Sequence, residues 1–171
     1  MYSLARPLVT QRLHLIPCSE EMAQAAISDR PRLRGPLDGD VPENWPDEDL
    51  RDFLHVYARQ LEADPELLGW GTWLILHPDQ HTLVGSIGFK GKPDRGAVEI
   101  GYGIVPAHRR QGYASEAARV LVAWAFTQPA VTRVLAECDR DNRASIRVLA
   151  KIGMQLTGED GDLLRWELRR D

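Results

Sequence analysis

Arg109, Arg110, Gln111, Gly112, Tyr113 and Ala114 stand directly before a segment whose apolar residues recur at helical spacing. That combination suits the binding of an anion. The first backbone N–H groups of a helix have no partner within it and carry partial positive charge. Glycine lets successive N–H groups converge on one point, and arginine adds charge-assisted bonds to phosphate. No G-K-[ST] follows, so this is not a Walker-type loop, and G-x-G-x-x-G is missing. Upstream, alternation in AVEIGYGIV places Glu99 on one strand face with Gly101 and Gly103. A carboxylate beside two positions without side chains is a candidate general base with space next to it. The competing reading has Glu99 bonded to a neighbouring backbone group or arginine. Pro106 has no N–H and must end the ladder, so the main-chain groups of Ile104 and Val105 are candidates to serve a ligand instead of a strand.

The elements that must position these groups follow from periodicity. Residues 12–16 alternate as a strand ended by Pro17, and Ser19 can cap a helix through Ile27. Residues 29–46, rich in proline, glycine and acids, read as a loop. Leu50, Phe53, Leu54, Tyr57 and Leu61 predict an amphipathic helix over 47–61. Strands at 72–76, 83–89 and from Ala97, joined by short turns, predict an antiparallel meander. Ala114, Ala117, Ala118, Leu121, Val122 and Ala125 line one face of the next helix. A strand over 131–138 then implies a right-handed crossover and a parallel pair. A helix over 142–152 stopped by Gly153 and a hairpin around Asp160-Gly161 close the chain. The sum is a single α/β domain over residues 1–171, a mixed sheet of about six or seven strands flanked by about four helices.

A length of 171 residues and 27% charged content describe one ordinary globular domain. A net charge of −4 argues against general nucleic-acid binding. The average hides an asymmetry: residues 38–52 hold seven acids and one base, whereas residues 105–151 hold eight bases and four acids. The acidic stretch could attract a cationic amine, or be only a solvated loop. Cys18 and Cys138 lie far apart, without metal-ligand spacing, and read as buried thiols. The five histidines form no ligand set, so no metal is expected, and His77 and His81 are expected in solvent. The N-terminus lacks a signal-peptide core and no run approaches a membrane span, which predicts a cytoplasmic location.

The segments AVEIGYGIVPAHRRQGYASEA and DRDNRASIRVLAKIGM resemble the GNAT N-acetyltransferase superfamily, and within it the ribosomal-protein N-terminal acetyltransferase-like branch. The resemblance runs from residue 12 onward and implies the acyl-CoA N-acyltransferase fold. It implies that acetyl-CoA is the cosubstrate, with its diphosphate on Arg109, Arg110, Gln111, Gly112, Tyr113 and Ala114 and its pantetheine arm along Ile104 and Val105. It places Asn142 at the cofactor arm and Ser145 near the thioester sulfur. Arg110 departs from the family, which often has glycine there, a change that is tolerable if the residue keeps a negative φ; Met154 replaces the usual aromatic.

The chemistry implied is direct attack of a primary amine on a thioester. Glu99 is the candidate base, the Val105 N–H the candidate donor that polarises the carbonyl, and Ser145 the candidate acid. Tyr102 alternates with core residues and reads as core, and Tyr113 reads as packing against cofactor. Trp45, Trp70 and Trp73 could line the acceptor pocket, with core packing the commoner role. The acceptor is a peptide or protein N-terminus or a small-molecule amine, and the chain a monomer or homodimer. The alternative is a non-catalytic acyl-CoA-binding sensor or interaction module.

Overall fold

The structure, a computed structural model, describes residues 5–171. Eight strands form one sheet: β1 (Leu8–Val9), β2 (His14–Pro17), β3 (Thr72–His77), β4 (Thr82–Phe89), β5 (Ala97–Ile104), β6 (Arg133–Asp139), β7 (Gln155–Asp160) and β8 (Leu163–Arg169), in the order β1-β2-β3-β4-β5-β6-β8-β7. Five α-helices accompany it: α1 (Glu20–Ser28), α2 (Arg34–Leu37), α3 (Glu48–Ala63), α4 (Tyr113–Thr127) and α5 (Arg143–Lys151). The expected six or seven strands and four helices become eight and five. The additions are the two-residue β1, paired with β2, and the one-turn α2, which lies inside the stretch read as loop. Neither is long enough to show a period in sequence. Leu33 and Leu37, both buried, hold that stretch against the core.

Helix boundaries follow the capping residues. Ser19 accepts from the N–H of Met22, Asp47 from that of Leu50, and Asn142 from that of Ser145. Gly153, at φ 93°, ends α5 in the left-handed region that glycine adopts without a Cβ penalty. Burial on α4 runs through Tyr113, Ala117, Ala118, Leu121, Val122 and Ala125, one face of the helix. Small residues there let α4 lie close to the sheet. Trp124, from the same helix, meets Trp70 at 4.9 Å and Trp73 at 5.3 Å between ring centroids. Trp70 and Trp73 are therefore core. Cys18 and Cys138 are buried free thiols, and burial pushes Cys18 up to about 12.

One pairing differs from the rest. β5 and β6 are parallel and their register covers only Ala97–Arg133, Val98–Val134 and Glu99–Leu135. β5 then continues to Ile104 paired with β4 alone, through Phe89–Ile100 to Gly85–Ile104. The two parallel strands part beyond Glu99, and a wedge opens in the middle of the sheet. Among the described residues no helix is long and apolar enough to cross a membrane.

Candidate active site

The wedge exposes a defined set of main-chain groups. Lys90 N–H donates to Glu99 O at 3.0 Å and Val105 N–H to Val84 O at 2.9 Å. Backbone groups alternate along a strand, so the odd-numbered residues of β5 turn theirs toward β4. Even-numbered Tyr102 and Ile104 turn theirs toward β6, past the point where β6 is paired. This corrects the expectation for Val105: its N–H is already spent on β4 and cannot polarise a ligand carbonyl. Ile104 does face the wedge, and its carbonyl accepts from Arg109 Nε at 3.0 Å.

The turn that follows is open. Arg110 and Gly112 have φ of 63° and 80°, and Gly112 is the N-cap of α4 without any side-chain capping bond. Arg110 thus adopts the left-handed conformation, not the negative φ that makes arginine tolerable there, at a cost of about 1–2 kcal/mol for a residue with a Cβ. The first protein-bonded N–H after the turn is that of Glu116, to Gly112 O at 3.1 Å. No acceptor among the described residues takes the N–H of Arg110, Gln111, Gly112, Tyr113, Ala114 or Ser115. Tyr113 is buried beneath the turn. Its ring lies between the Arg12 guanidinium, 4.7 Å from the centroid, and the His77 ring at 5.5 Å. Tyr113 therefore supports the turn from inside, and His77, expected in solvent, is part of the core. Arg12 reaches the turn itself: a Cβ on Gly112 would sit 3.4 Å from its guanidinium nitrogen. A shallow hollow of about 490 Å³ continues from Gly112 past Arg12, Glu116, Arg119 and Lys151.

A larger cleft of about 540 Å³ lies against β4 and β5. Its floor includes Ser86, Gly88, Gly101 and Gly103. A Cβ built on Gly101 or Gly103 meets nothing within 4 Å, so these glycines leave free space rather than relieve a clash. Asn44, Trp45, Asp47, Asp49 and Phe53 close the opposite side, and Arg109 stands at the end nearest the turn. Tyr102 also lines the cleft. Its hydroxyl donates to Ser145 O across the wedge at 3.4 Å, and burial pushes the phenol up to about 12. Glu99 is not among the lining residues; its carboxylate is paired with Lys90 Nζ.

A diphosphate-sized set of free amides, an arginine at each side and a thin open strand edge leading to a cleft match one further observation: residues 12–155 fit the acetyltransferase (GNAT) domain. The chain belongs to the GNAT acetyltransferase family. An uncharacterised N-acetyltransferase from Bacillus subtilis, YjdG, is 31% identical over 160 residues, covering 93% of this chain and 95% of that protein. Similar solved structures include a ribosomal-protein-S5-alanine acetyltransferase from Vibrio fischeri, with TM-score 0.69, 15% identity and 98% of both chains covered. RimL, a ribosomal L7/L12 α-N-protein acetyltransferase solved with coenzyme A, has TM-score 0.67 and 21% identity over 96% of this chain and 98% of its own. The protein is an N-acetyltransferase of the GNAT fold, a family whose members bind acetyl-CoA or CoA.

For this GNAT enzyme the structure brings Ile104, Arg109, Arg110, Gln111, Gly112 and Ala114 to one end of the wedge. Asn142 and Ser145 stand at the start of α5, past the end of β6. Asn142 Oδ1 caps Ser145 N–H at 3.0 Å, so one end of the Asn142 amide is committed within the protein. Tyr102 packs against the core, as its alternation with Val98 and Ile100 implies, and it also lines the cleft, a placement that depends on where β6 stops pairing. Arg12 carries no local signal at all, since its partners Glu116 and Gly112 lie on a distant element.

Proposed function

We propose that this acetyltransferase holds acetyl-CoA along the β5–β6 wedge and transfers its acetyl group to a cationic primary amine, a peptide or protein N-terminus or a small-molecule amine, entering the cleft beneath residues 44–53. The observation that carries the reading is the run of unpaired N–H groups from Arg110 to Ser115 at the start of α4. These amides and the Arg109 side chain would hold the diphosphate. The main-chain groups of Tyr102 would pair with the pantetheine arm, and Arg12, Arg119 and Lys151 flank the space where the nucleotide end continues. When bound, acetyl-CoA supplies an acetyl thioester, the electrophile.

The chain's own groups then have three tasks. Asp47 and Asp49 set a negative potential at the amine's side of the cleft, opposite Arg109. The Ile104 N–H takes the donor role that Val105 cannot fill; one such donor is worth roughly 3–4 kcal/mol in related acyl transfers. Tyr102, kept neutral by burial, donates a hydrogen bond rather than accepting a proton. Its bond goes to Ser145 O, so Tyr102 fixes the start of α5, whose N-terminal end and Ser145 hydroxyl stabilise the departing sulfur. The ammonium first loses a proton to water, the neutral nitrogen then bonds the acetyl carbon, the carbon–sulfur bond breaks to release the thiolate, and the second amine proton passes to water. An α-amine with a pKa of about 7.7–8.0 needs little help from a base, unlike a lysine-type amine at about 10.4.

The test is thiol release from acetyl-CoA across a panel of amines that includes peptides with free N-termini. Turnover with at least one cationic primary amine, with kcat/KM rising toward the pKa of that amine, is the expected result. Cofactor binding with no thiol release from any amine would instead favour a non-catalytic sensor.

A further inference from the structure

The side of the cleft formed by residues 42–47 has little regular structure of its own, yet it carries Asn44, Trp45 and Asp47 to the acceptor space. Its ends are fixed. Asp40 N–H donates to His81 O at 2.7 Å and Leu83 N–H to Asp40 O at 2.8 Å, which ties the upstream end to β4. Asp47 caps α3 downstream. Between these anchors one side chain gathers the backbone. Arg30 Nη1 donates to Pro42 O at 3.0 Å, to Trp45 O at 3.2 Å and to Glu43 O. Arg30 opens the 3-10 turn Arg30–Leu33, whose Leu33 is fully buried, so the turn that carries the side chain is anchored in the core. The three carbonyls converge on one nitrogen and share its two N–H groups; a lysine ammonium carries enough N–H groups but ends one bond short of that point.

We propose that Arg30 is a positioning residue for the acceptor: by clamping the carbonyls of Pro42, Glu43 and Trp45 it holds one side of the amine cleft in place and thereby sets amine affinity. This rests on the transfer reading above, because only the cleft beneath this segment, and not the Gly112 turn, depends on Arg30. Arg30 touches neither cleft nor turn in its own right. Charge-assisted hydrogen bonds of this kind contribute enough for the loss of the clamp to weaken amine binding by about tenfold.

The experiment pairs steady-state kinetics with amide hydrogen exchange on the full chain, for wild type, Arg30→Ala and Arg30→Lys. The expected result is an amine KM raised by about tenfold in Arg30→Ala and by a smaller factor in Arg30→Lys, with the KM and Kd for acetyl-CoA unchanged. Exchange of the Trp45 amide, which donates to Pro42 O, should accelerate in Arg30→Ala while that of α4 does not. An unchanged amine KM in a folded variant, equal rises in both KM values, or unchanged exchange of the Trp45 amide would each overturn the proposal. Wild-type protein that releases no thiol with any amine removes the transfer reading, and the positioning role with it. The exchange comparison separates that failure from an absent clamp.

Discussion

Glu99 shows how a residue type can promise chemistry that its neighbour then takes away. Its strand face and the adjoining glycines were legible in the sequence, but the ammonium of Lys90 across the β4–β5 ladder was not, because register is a property of two strands together. In the proposed mechanism the carboxylate stays paired with Lys90 and the amine proton leaves through water. Glu99→Gln is therefore expected to leave kcat within about twofold and the pH profile of kcat/KM unshifted. It should lower stability by less than about 1 kcal/mol, as for a partly exposed ion pair. A collapse of turnover, or a profile that loses its acidic limb, would return Glu99 to the role of base. Val105 teaches the same lesson on the main chain: Pro106 does end the ladder, but one residue later than the polarising role needed, since Val105 N–H still reaches Val84 O.

Elements acquire their function here where pairing stops. The meander, the crossover, the parallel pair and the helix cap at Ser19 were all readable from period and capping chemistry. The early end of the β5–β6 register was not, since Ile100, Tyr102 and Ile104 continue the same alternation whether or not β6 accompanies them. The approach of the N-terminal segment to α4 is equally non-local. Thr10 Oγ1 donates to Glu116 Oε1 at 2.6 Å, and Arg12 Nε to Glu116 Oε2 at 2.8 Å. Burial alone would raise the Glu116 carboxyl, but the bonds from Thr10 and Arg12 outweigh it and hold it below its ordinary value. A depressed folded pKa contributes stability that is present above the unfolded value, near 4.5, and is lost as pH falls through the folded one. Glu116→Gln should therefore cost about 1–2 kcal/mol at pH 7 and progressively less in acid. Thermal melts of both proteins across pH 3–7 check this, and a gap that does not narrow on acidification would contradict it.

At the scale of the whole molecule, one splayed sheet separates two charge environments that the sequence already held apart. The acids of residues 38–52 contribute Asp47 and Asp49 to the cleft, at whose end nearest the turn Arg109 stands, and the bases of residues 105–151 contribute Arg119 and Lys151 to the hollow beyond Gly112. What joins them is the turn at Gly112, whose left-handed φ of 80° lets α4 begin with its amides bare. Calorimetric titration of acetyl-CoA into wild type and Gly112→Asp, with a thermal melt to confirm that the variant folds, tests that claim most directly. A carboxylate and a Cβ placed in the turn should raise the dissociation constant by at least about tenfold, roughly the worth of one charge-assisted bond. Acetyl-CoA bound with equal affinity by wild type and the folded variant would contradict the account.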